Sequence, residues 1–163
     1  MKWWMIVICL VFLTGCSAQP VWETVEDGIP AELPVLQTYE ISLDVPMTFL
    51  GGSRKDSLYA CGSVEVHTTS FYAADLDAAV RQLSGFSAEK LNIVKTHRNV
   101  LPEYQFAWYS ETEEGGRLYR ADLLMDDTLC YAVICSAPET AEGFHEQARQ
   151  VFSAFTLSAP EKI

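Results

Sequence analysis

Residues 104–136, YQFAWYSETEEGGRLYRADLLMDDTLCYAVICS, carry the strongest indication of the fold in this chain. Three segments within this stretch have the alternation or the continuous apolar character of β-strands, and two short acidic turns separate them. The segments are 104–111, 117–125 and 128–136, and the turns are 113–116 and 126–127. Because strands joined by such tight turns pair side by side, the sequence predicts an antiparallel sheet.

The third segment is apolar on both faces, which is typical of a central strand that is covered on each side. The middle segment alternates, and four apolar side chains follow one another on one of its faces: Tyr119, Ala121, Leu123 and Met125. We expect this face to point inward, while Arg117 and Arg120 reach solvent from the end and the other face of the strand.

Three further strand signals lie before residue 104. Residues 39–45 alternate between apolar and polar side chains, and a loop is expected over 47–56. Residues 58–71 are strand-like, with Gly62 at a bulge or turn. Residues 91–97 predict another strand.

Two helices are expected outside the sheet. Asp75 is placed to cap a short helix that ends at Gly85. Pro138 and Glu139 are expected to open a second helix. Its apolar stripe has helical spacing: Phe144, Ala148, Val151, Phe152 and Phe155.

The element order is therefore two strands, a helix, about four strands and a closing helix (ββαββββα). We expect an α+β fold in which an antiparallel sheet of about six strands is sandwiched with two helices. This order, with a long amphipathic helix that ends in residues 152–157, resembles the PsbP-like sandwich superfamily across residues 39–157. The resemblance implies an accessory or binding protein, and it transfers no functional residue because no motif matches position by position.

The start of the chain has the layout of a secretory signal, with Lys2 before an apolar run over residues 3–13. The segment Leu13–Cys16, LTGC, resembles the bacterial lipoprotein box. The resemblance implies cleavage between Gly15 and Cys16 and a diacylglyceryl group on the Cys16 thiol. Two acyl chains suffice for stable anchoring at the outer face of a bacterial membrane. The alternatives are a plain secretory signal with an accidental cysteine and an uncleaved anchor.

These features divide the chain into three parts. Residues 1–15 are expected to be the lipoprotein signal peptide. Residues 16–38 hold three prolines and four acidic residues without a sustained period, which indicates a tether. Residues 39–158 are expected to form one α+β domain of ordinary size.

The charge of the chain excludes one class of partner. There are 11 Lys and Arg against 22 Asp and Glu, so the formal net charge is −11. Phosphate binding needs clustered Lys and Arg, so nucleic acid is not an expected partner. Adhesion to anionic lipid is equally unfavourable, which leaves the lipid on Cys16 as the expected contact with the membrane.

The domain retains three cysteines, because Cys9 lies in the signal and Cys16 in the lipoprotein box. An odd count allows at most one disulfide. Cys130 and Cys135 are five positions apart on a strand and point to opposite faces, so a disulfide would join Cys61 to one of them. Three free thiols that pack as small apolar groups are the alternative.

One catalytic spacing occurs. Ser87 and Lys90 have the Ser-x-x-Lys spacing of penicillin-recognising enzymes, and the segment 95–97, KTH, is similar to their Lys-Thr-Gly. The domain is too small for that fold and the Ser-Asp-Asn element is missing. We therefore expect a turn with Ser87 as an N-cap, and no catalytic residue.

No metal or cofactor is expected either. Metal sites usually contain close pairs of ligands, and no His or Cys has such a neighbour here. The candidates are His67, His97 and His145 with Cys61, Cys130 and Cys135. The acidic turn residues lie at opposite ends of the middle strand and cannot form one site: Glu111, Glu113 and Glu114 at one end, Asp126 and Asp127 at the other.

The predicted sheet is rich in aromatic residues: Tyr104, Phe106, Trp108, Tyr109, Tyr119 and Tyr131. Alternation places Tyr104, Phe106 and Trp108 on one face and Tyr109 on the other. Such a set is explained either by a core beneath the helices or by an open face that takes a ligand or another protein.

The expectation for function is a membrane-anchored extracytoplasmic lipoprotein that acts as a non-enzymatic accessory or binding domain, with a protein as a possible partner. One alternative is a lipoprotein that carries a small molecule or a metal ion. Another is an enzyme with a minimal site that joins distant residues, such as His67 or His97 with a carboxylate. The sequence identifies no ligand-binding residue.

Overall fold

The computed structural model describes residues 39–159. Within them the chain forms nine strands and two helices, numbered in chain order: β1 Glu40–Leu43, β2 Thr48–Ser53, β3 Asp56–Cys61, β4 Val64–Tyr72, α1 Leu76–Ser84, β5 Val94–Arg98, β6 Leu101–Thr112, β7 Gly115–Asp126, β8 Leu129–Pro138, α2 Phe144–Ala154 and β9 Phe155–Ser158. One turn of 3-10 helix covers Ala88–Lys90. Neither of the described helices has the length and apolar character that crossing a membrane requires.

Seven strands form one sheet in the order β2-β3-β4-β8-β7-β6-β5, and all neighbours are antiparallel. β1 and β9 form a separate antiparallel pair. The three segments that predicted the sheet are β6, β7 and β8. β8 lies between β4 and β7, so its predicted central position is confirmed, as are the α+β class and the antiparallel sheet.

Side chains of β8 alternate between two apolar cores, one on each face of the seven-stranded sheet. Tyr131 and Cys135 belong to the core that includes α2 and the β1–β9 pair, and we name this side the α2 face. Cys130 and Ala132 belong to the core that includes α1, which defines the α1 face. Because both faces are covered, β8 carries an almost continuous apolar sequence.

The helix α1 has the ends that the sequence predicts. The Asp75 carboxylate accepts a hydrogen bond of 2.8 Å from the Ala78 N–H, which caps the first turn. Gly85 has a φ of 79° and its N–H donates to the Arg81 carbonyl at 2.8 Å, which ends the helix. Ala79 and Val80 are fully buried against the α1 face.

The expected number of about six strands is wrong, since the described residues contain seven strands in the main sheet and two in the pair. The loop expected over 47–56 contains β2 and the turn to β3. β2 is an edge strand that is mostly exposed, so no apolar alternation marks it. Residues 58–71 span two strands, because Gly62 has a φ of 63° and lies in a tight turn.

The other differences lie near the second helix and before β6. Pro138 ends β8 and does not open α2, which begins at Phe144 after Gly143. The predicted apolar stripe is buried as expected, but Phe155 starts β9 and pairs with Leu43 of β1. The predicted strand over 91–97 is shorter and begins at Val94.

Candidate functional site

A pocket of about 280 Å³ lies on the α2 face of the sheet, at the end where the described chain begins. β1 and the preceding residue Tyr39 form one wall, and the β2–β3 turn forms another. Tyr72 of β4 lines the side, while Leu129 and Tyr131 of β8 form the floor. We name this feature the Tyr131 pocket.

The β2–β3 turn brings two cations to the Tyr131 pocket. Ser53 pairs with Asp56, so Arg54 and Lys55 are the two central residues of the hairpin turn. The Lys55 carbonyl accepts a hydrogen bond of 2.9 Å from the Ser70 N–H, which fixes the turn beside β4. Both cations therefore line the pocket because the hairpin turn that carries them is hydrogen-bonded to β4.

One glycine in β2 is required for this turn. Gly52 has a φ of 120°, and a Cβ at this position would lie 2.2 Å from the Asp56 carbonyl oxygen. The neighbouring Gly51 has open space around the corresponding position. Close approach of the two strands at Gly52 thus sets the geometry of the hairpin that carries Arg54 and Lys55.

The floor of the pocket has a hydroxyl group with an unused proton. Tyr131 is fully buried, and its oxygen accepts a hydrogen bond of 2.9 Å from the Tyr39 N–H. Within residues 39–159 the Tyr131 hydroxyl donates to no acceptor. Burial raises the pKa of Tyr131, and the charge of the Asp126 carboxylate adds to the increase, so the hydroxyl keeps its proton.

The charges that line the pocket leave an excess of one positive charge. Arg54 forms an ion pair with Glu40 of β1. Lys55 forms no ion pair within the described residues. In a chain with a formal net charge of −11, this is a local reversal of sign. Donors, one surplus cation and apolar walls make a site that can bind a small anion.

The lining of the Tyr131 pocket contains neither histidine nor cysteine. Ser70 is the only residue there with an aliphatic hydroxyl group. A serine needs an adjacent base to act as a nucleophile. The arrangement therefore supports binding better than covalent catalysis.

A second set of charges lies on the α2 face toward the other edge of the sheet, and we name it the Arg98 cluster. It consists of Arg98 of β5, Glu103 and Gln105 of β6, and Asp122 of β7. Arg98 Nη2 donates to Glu103 Oε1 at 2.5 Å and to Asp122 Oδ2 at 2.9 Å. Gln105 Nε2 donates to the same two oxygens at 3.2 and 3.3 Å.

Arg98 also joins the cluster to the end of α2. Its Nη1 donates to the Phe152 carbonyl at 2.8 Å and to the Phe155 carbonyl at 2.5 Å. The Phe152 carbonyl lies in the last turn of α2 and also accepts from the Phe155 N–H, while Phe155 is the first residue of β9. The last turn of α2 has no basic residue of its own, so Arg98 places a cation at the negative end of the helix dipole.

Asp122 is the most constrained member of the Arg98 cluster. Its side chain is fully buried, and Oδ1 has no hydrogen-bond partner in the structure. Burial raises the pKa of Asp122 to about 7, although the Arg98 charge opposes the shift. Glu103 adds to the increase, because two carboxylates this close cannot both ionise easily.

The structure separates the predicted metal-binding candidates. His67 lies on β4 and contacts the Asp56 carboxylate through Nε2. His97 is on β5, and His145 is exposed at the start of α2 with its ring 5.3 Å from that of Phe144. Among the described residues, no group of three His, Cys, Asp or Glu side chains is placed to hold a metal ion.

Cys61, Cys130 and Cys135 are free thiols. Cys130 lies in the core of the α1 face, while Cys61 and Cys135 lie on the α2 face. Cys61 is on β3 and Cys135 on β8, with β4 between them, so the two backbones are about 10 Å apart at roughly 4.8 Å per strand. A disulfide requires a Cα separation below about 7 Å. Burial raises the pKa of the Cys130 and Cys135 thiols to about 11 and about 12.

The segment with Ser-x-x-Lys spacing forms the 3-10 turn. Ser87 is at the N-cap position, as expected, but its side chain makes no capping hydrogen bond. Its oxygen is buried without a partner among the described residues, while Lys90 is exposed.

The two acidic turns lie at opposite ends of β7, as the sequence predicts, so they are too far apart to form one site. A hydrogen bond from Tyr109 to Glu111 raises the pKa of Tyr109 to about 12.

The aromatic residues lie on the faces that alternation predicts. Phe106 is buried in the core of the α1 face and stacks on Trp108 with ring centroids 5.7 Å apart. Trp108 stacks on Tyr119 at 5.0 Å with nearly parallel rings. Trp108, Tyr119 and Tyr104 are half-buried. Phe106 and Tyr131 are therefore core, the three half-buried rings pack against the core of the α1 face, and Tyr109 is exposed.

Comparisons with known proteins name no family for this chain. No protein-family model matches it, and a search of curated proteins finds no match. A solved structure from Bacteroides thetaiotaomicron VPI-5482 is similar to it at 12% sequence identity with a TM-score of 0.49. The match covers 75% of this chain and 46% of that chain, so it spans less than half of the length of that protein.

Sequence reasoning identified neither the Tyr131 pocket nor the Arg98 cluster. The pocket joins four segments that are distant in the sequence, and its two cations lie in a region expected to be a loop. The cluster had one signal that was available: Asp122 stands within the apolar run of β7, where an acidic side chain is unusual unless it is paired.

Proposed function

We propose that this chain is a bacterial lipoprotein, anchored through lipid on Cys16 at the extracytoplasmic face of the cell membrane, and that its domain is a non-enzymatic binding or accessory module. The lipoprotein box at Leu13–Cys16 supports the anchor. The acidic segment 16–38 then holds the domain away from the membrane surface. This anchor lies outside the described residues.

The Tyr131 pocket carries the binding part of the proposal. Residues from four segments converge there, and they present Lys55 and the Tyr131 hydroxyl as donors that have no acceptor among residues 39–159. A concave site with apolar walls and a few polar groups is the usual form of a small-molecule site. Its lining lacks a paired nucleophile and base, which favours binding over turnover.

The anchor is tested by Cys16→Ala. In a bacterial host fed labelled palmitate, the parent should incorporate label and remain in the membrane fraction. The variant should lose the label and appear in soluble fractions. A variant that stays in the membrane as the parent does would show that lipid on Cys16 is not the anchor.

The non-enzymatic binding role is tested with the purified full chain and a library of small solutes, observed by ligand NMR. We expect some solutes to bind and to be recovered unchanged after prolonged incubation. A solute that is converted to product, with conversion lost in one pocket variant, would show that the domain is an enzyme.

A further inference from the structure

We infer that the Tyr131 pocket binds a small monocarboxylate with a compact apolar body, and that Lys55 recognises its charge. This inference rests on the proposed function, because it names the ligand class of the same pocket. It follows from the charge balance, the unused donors, the walls and the size of the cavity.

The charge balance favours one negative charge on the ligand. Arg54 and Lys55 contribute two positive charges, and Glu40 compensates one of them through its ion pair with Arg54. The surplus is one positive charge, which a single carboxylate neutralises. A cation would meet Lys55 without any free carboxylate in the lining to compensate it.

The donors require a ligand that accepts hydrogen bonds. The Lys55 ammonium and the Tyr131 hydroxyl are unused donors among the described residues, and the Tyr131 oxygen already accepts from Tyr39. A carboxylate accepts hydrogen bonds and donates none, so it matches such a set. Charge-assisted hydrogen bonds are the stronger kind, which favours an ionised acceptor over a neutral one.

The walls favour an apolar body. Tyr72 is 60% exposed beside the pocket, so its ring is free to contact a ligand. Ile41 and Leu129 add aliphatic surface. A ring or short alkyl group that covers these side chains removes apolar area from water.

The size of the cavity limits the ligand. A volume of 280 Å³ corresponds to about nine water molecules at roughly 30 Å³ each. Benzoate, with a single ring and one carboxylate, is a probe of this size. Benzamide and benzamidine have almost the same shape, and their charges are zero and +1, so the three compounds isolate the effect of charge.

The test measures the affinity of the full chain in detergent for benzoate, benzamide and benzamidine by ligand NMR or calorimetry. We expect benzoate to bind about fivefold tighter than benzamide, since an exposed ion pair contributes roughly this factor, and benzamidine to bind most weakly. The preference for benzoate should shrink as salt increases, because screening weakens exposed charges.

Two variants and one control locate the effect. Lys55→Met should abolish the preference for benzoate over benzamide. Tyr131→Phe should weaken both compounds and keep their order, because it removes a donor without changing the charge. Lys90→Met removes another exposed lysine, outside the pocket lining, and should bind as the parent does.

The outcomes separate the inference from the proposed function. If benzamide or benzamidine binds as tightly as benzoate, the carboxylate inference is wrong while the pocket remains a binding site. If benzoate binding survives unchanged in both Lys55→Met and Tyr131→Phe, the inference is also wrong. If none of the three compounds binds, both the inference and the pocket's proposed role are overturned.

Discussion

The Tyr131 pocket and the Arg98 cluster lie on the same face of one sheet, toward opposite edges, and each combines arginine with carboxylates. In the cluster, Arg98 donates to two carboxyl groups and two carbonyls, and the raised pKa of Asp122 limits the negative charge beside it. In the pocket the surplus charge is positive, and Lys55 and the Tyr131 hydroxyl have no acceptor within the described chain. The charged groups of the Arg98 cluster are paired with one another, whereas the Tyr131 pocket keeps a cation and a donor that have no acceptor among the described residues.

The difference separates charges that hold the fold from charges that are free to bind. Buried charges are costly, and they persist when hydrogen bonds satisfy them on several sides. The Arg98 cluster meets this condition except at Asp122 Oδ1. Tyr131 packs in the core, but Lys55 is exposed and forms no ion pair within the described residues, so its place in the pocket lining is better explained by a ligand.

The largest effect expected from this comparison is that of Arg98→Met. Removing the arginine leaves Glu103 and Asp122 buried without their cation and removes its hydrogen bonds to the Phe152 and Phe155 carbonyls. We expect the free energy of unfolding in urea to fall by about 3–5 kcal/mol. Arg149→Met is the matched control, because its pair with Glu146 is exposed on α2 and is worth about 0–1 kcal/mol. Equal losses in the two variants would contradict a structural role for the cluster.

The next effect concerns Asp122 and pH. The folded pKa of about 7 lies above the ordinary value for aspartate, so the folded state holds the proton more tightly than the unfolded state does. The stability that this proton contributes is fully present below about pH 4 and is lost as the pH rises toward 7. Asp122→Asn cannot ionise, so its stability should vary less across this window. The slope of the free energy of unfolding against pH should differ between the parent and Asp122→Asn by at most about 1.4 kcal/mol per pH unit.

Urea titrations from pH 4 to 8 check this difference. Asp127→Asn, which removes an exposed carboxylate at the β7–β8 turn, is the control. An Asp122→Asn protein with the same slope as the parent would show that Asp122 does not take up a proton in this range.

A smaller effect is expected at Gly52, where the two strands of the β2–β3 hairpin approach closely. Gly52→Ala places a Cβ against the Asp56 carbonyl, and it should lower the free energy of unfolding by about 1–3 kcal/mol and weaken benzoate binding. Gly51 has a φ of 154°, so Gly51→Ala also carries backbone strain, but its Cβ meets open space and the variant should lose less of both. Unfolding and binding measurements on the two variants provide the check. If the two variants behave alike, the close approach at Gly52 does not set the turn.

The fold was predictable where one strand or helix face is apolar and another is not. β6, β7 and β8 and the apolar stripe of α2 follow from periodicity, and Asp75 and Gly85 mark the ends of α1. β2 was missed because most of an edge strand is in contact with solvent. β9 was missed because a strand that follows a helix directly continues its apolar run.

The sites were less predictable because they depend on convergence in space. Arg98 and Asp122 are 24 positions apart, and each looks ordinary in its own strand. The pocket brings Lys55 beside Tyr131 across β4, and no local pattern marks such a pairing. Among the sequence candidates, the histidines and thiols are separated by the sheet itself, which places Cys130 and Cys135 on opposite faces.

A crossed measurement on Lys55→Met and Asp122→Asn tests the central claim most directly, because it compares benzoate affinity and pH-dependent stability in the same two proteins. We predict that Lys55→Met loses about fivefold in benzoate affinity while its stability stays within about 0.5 kcal/mol of the parent at every pH. Asp122→Asn should keep the benzoate affinity and change the dependence of stability on pH. The central claim is that the Tyr131 pocket binds a ligand while the Arg98 cluster stabilises the fold. It is contradicted if Lys55→Met binds benzoate as the parent does. It is also contradicted if Asp122→Asn loses benzoate binding as strongly as Lys55→Met.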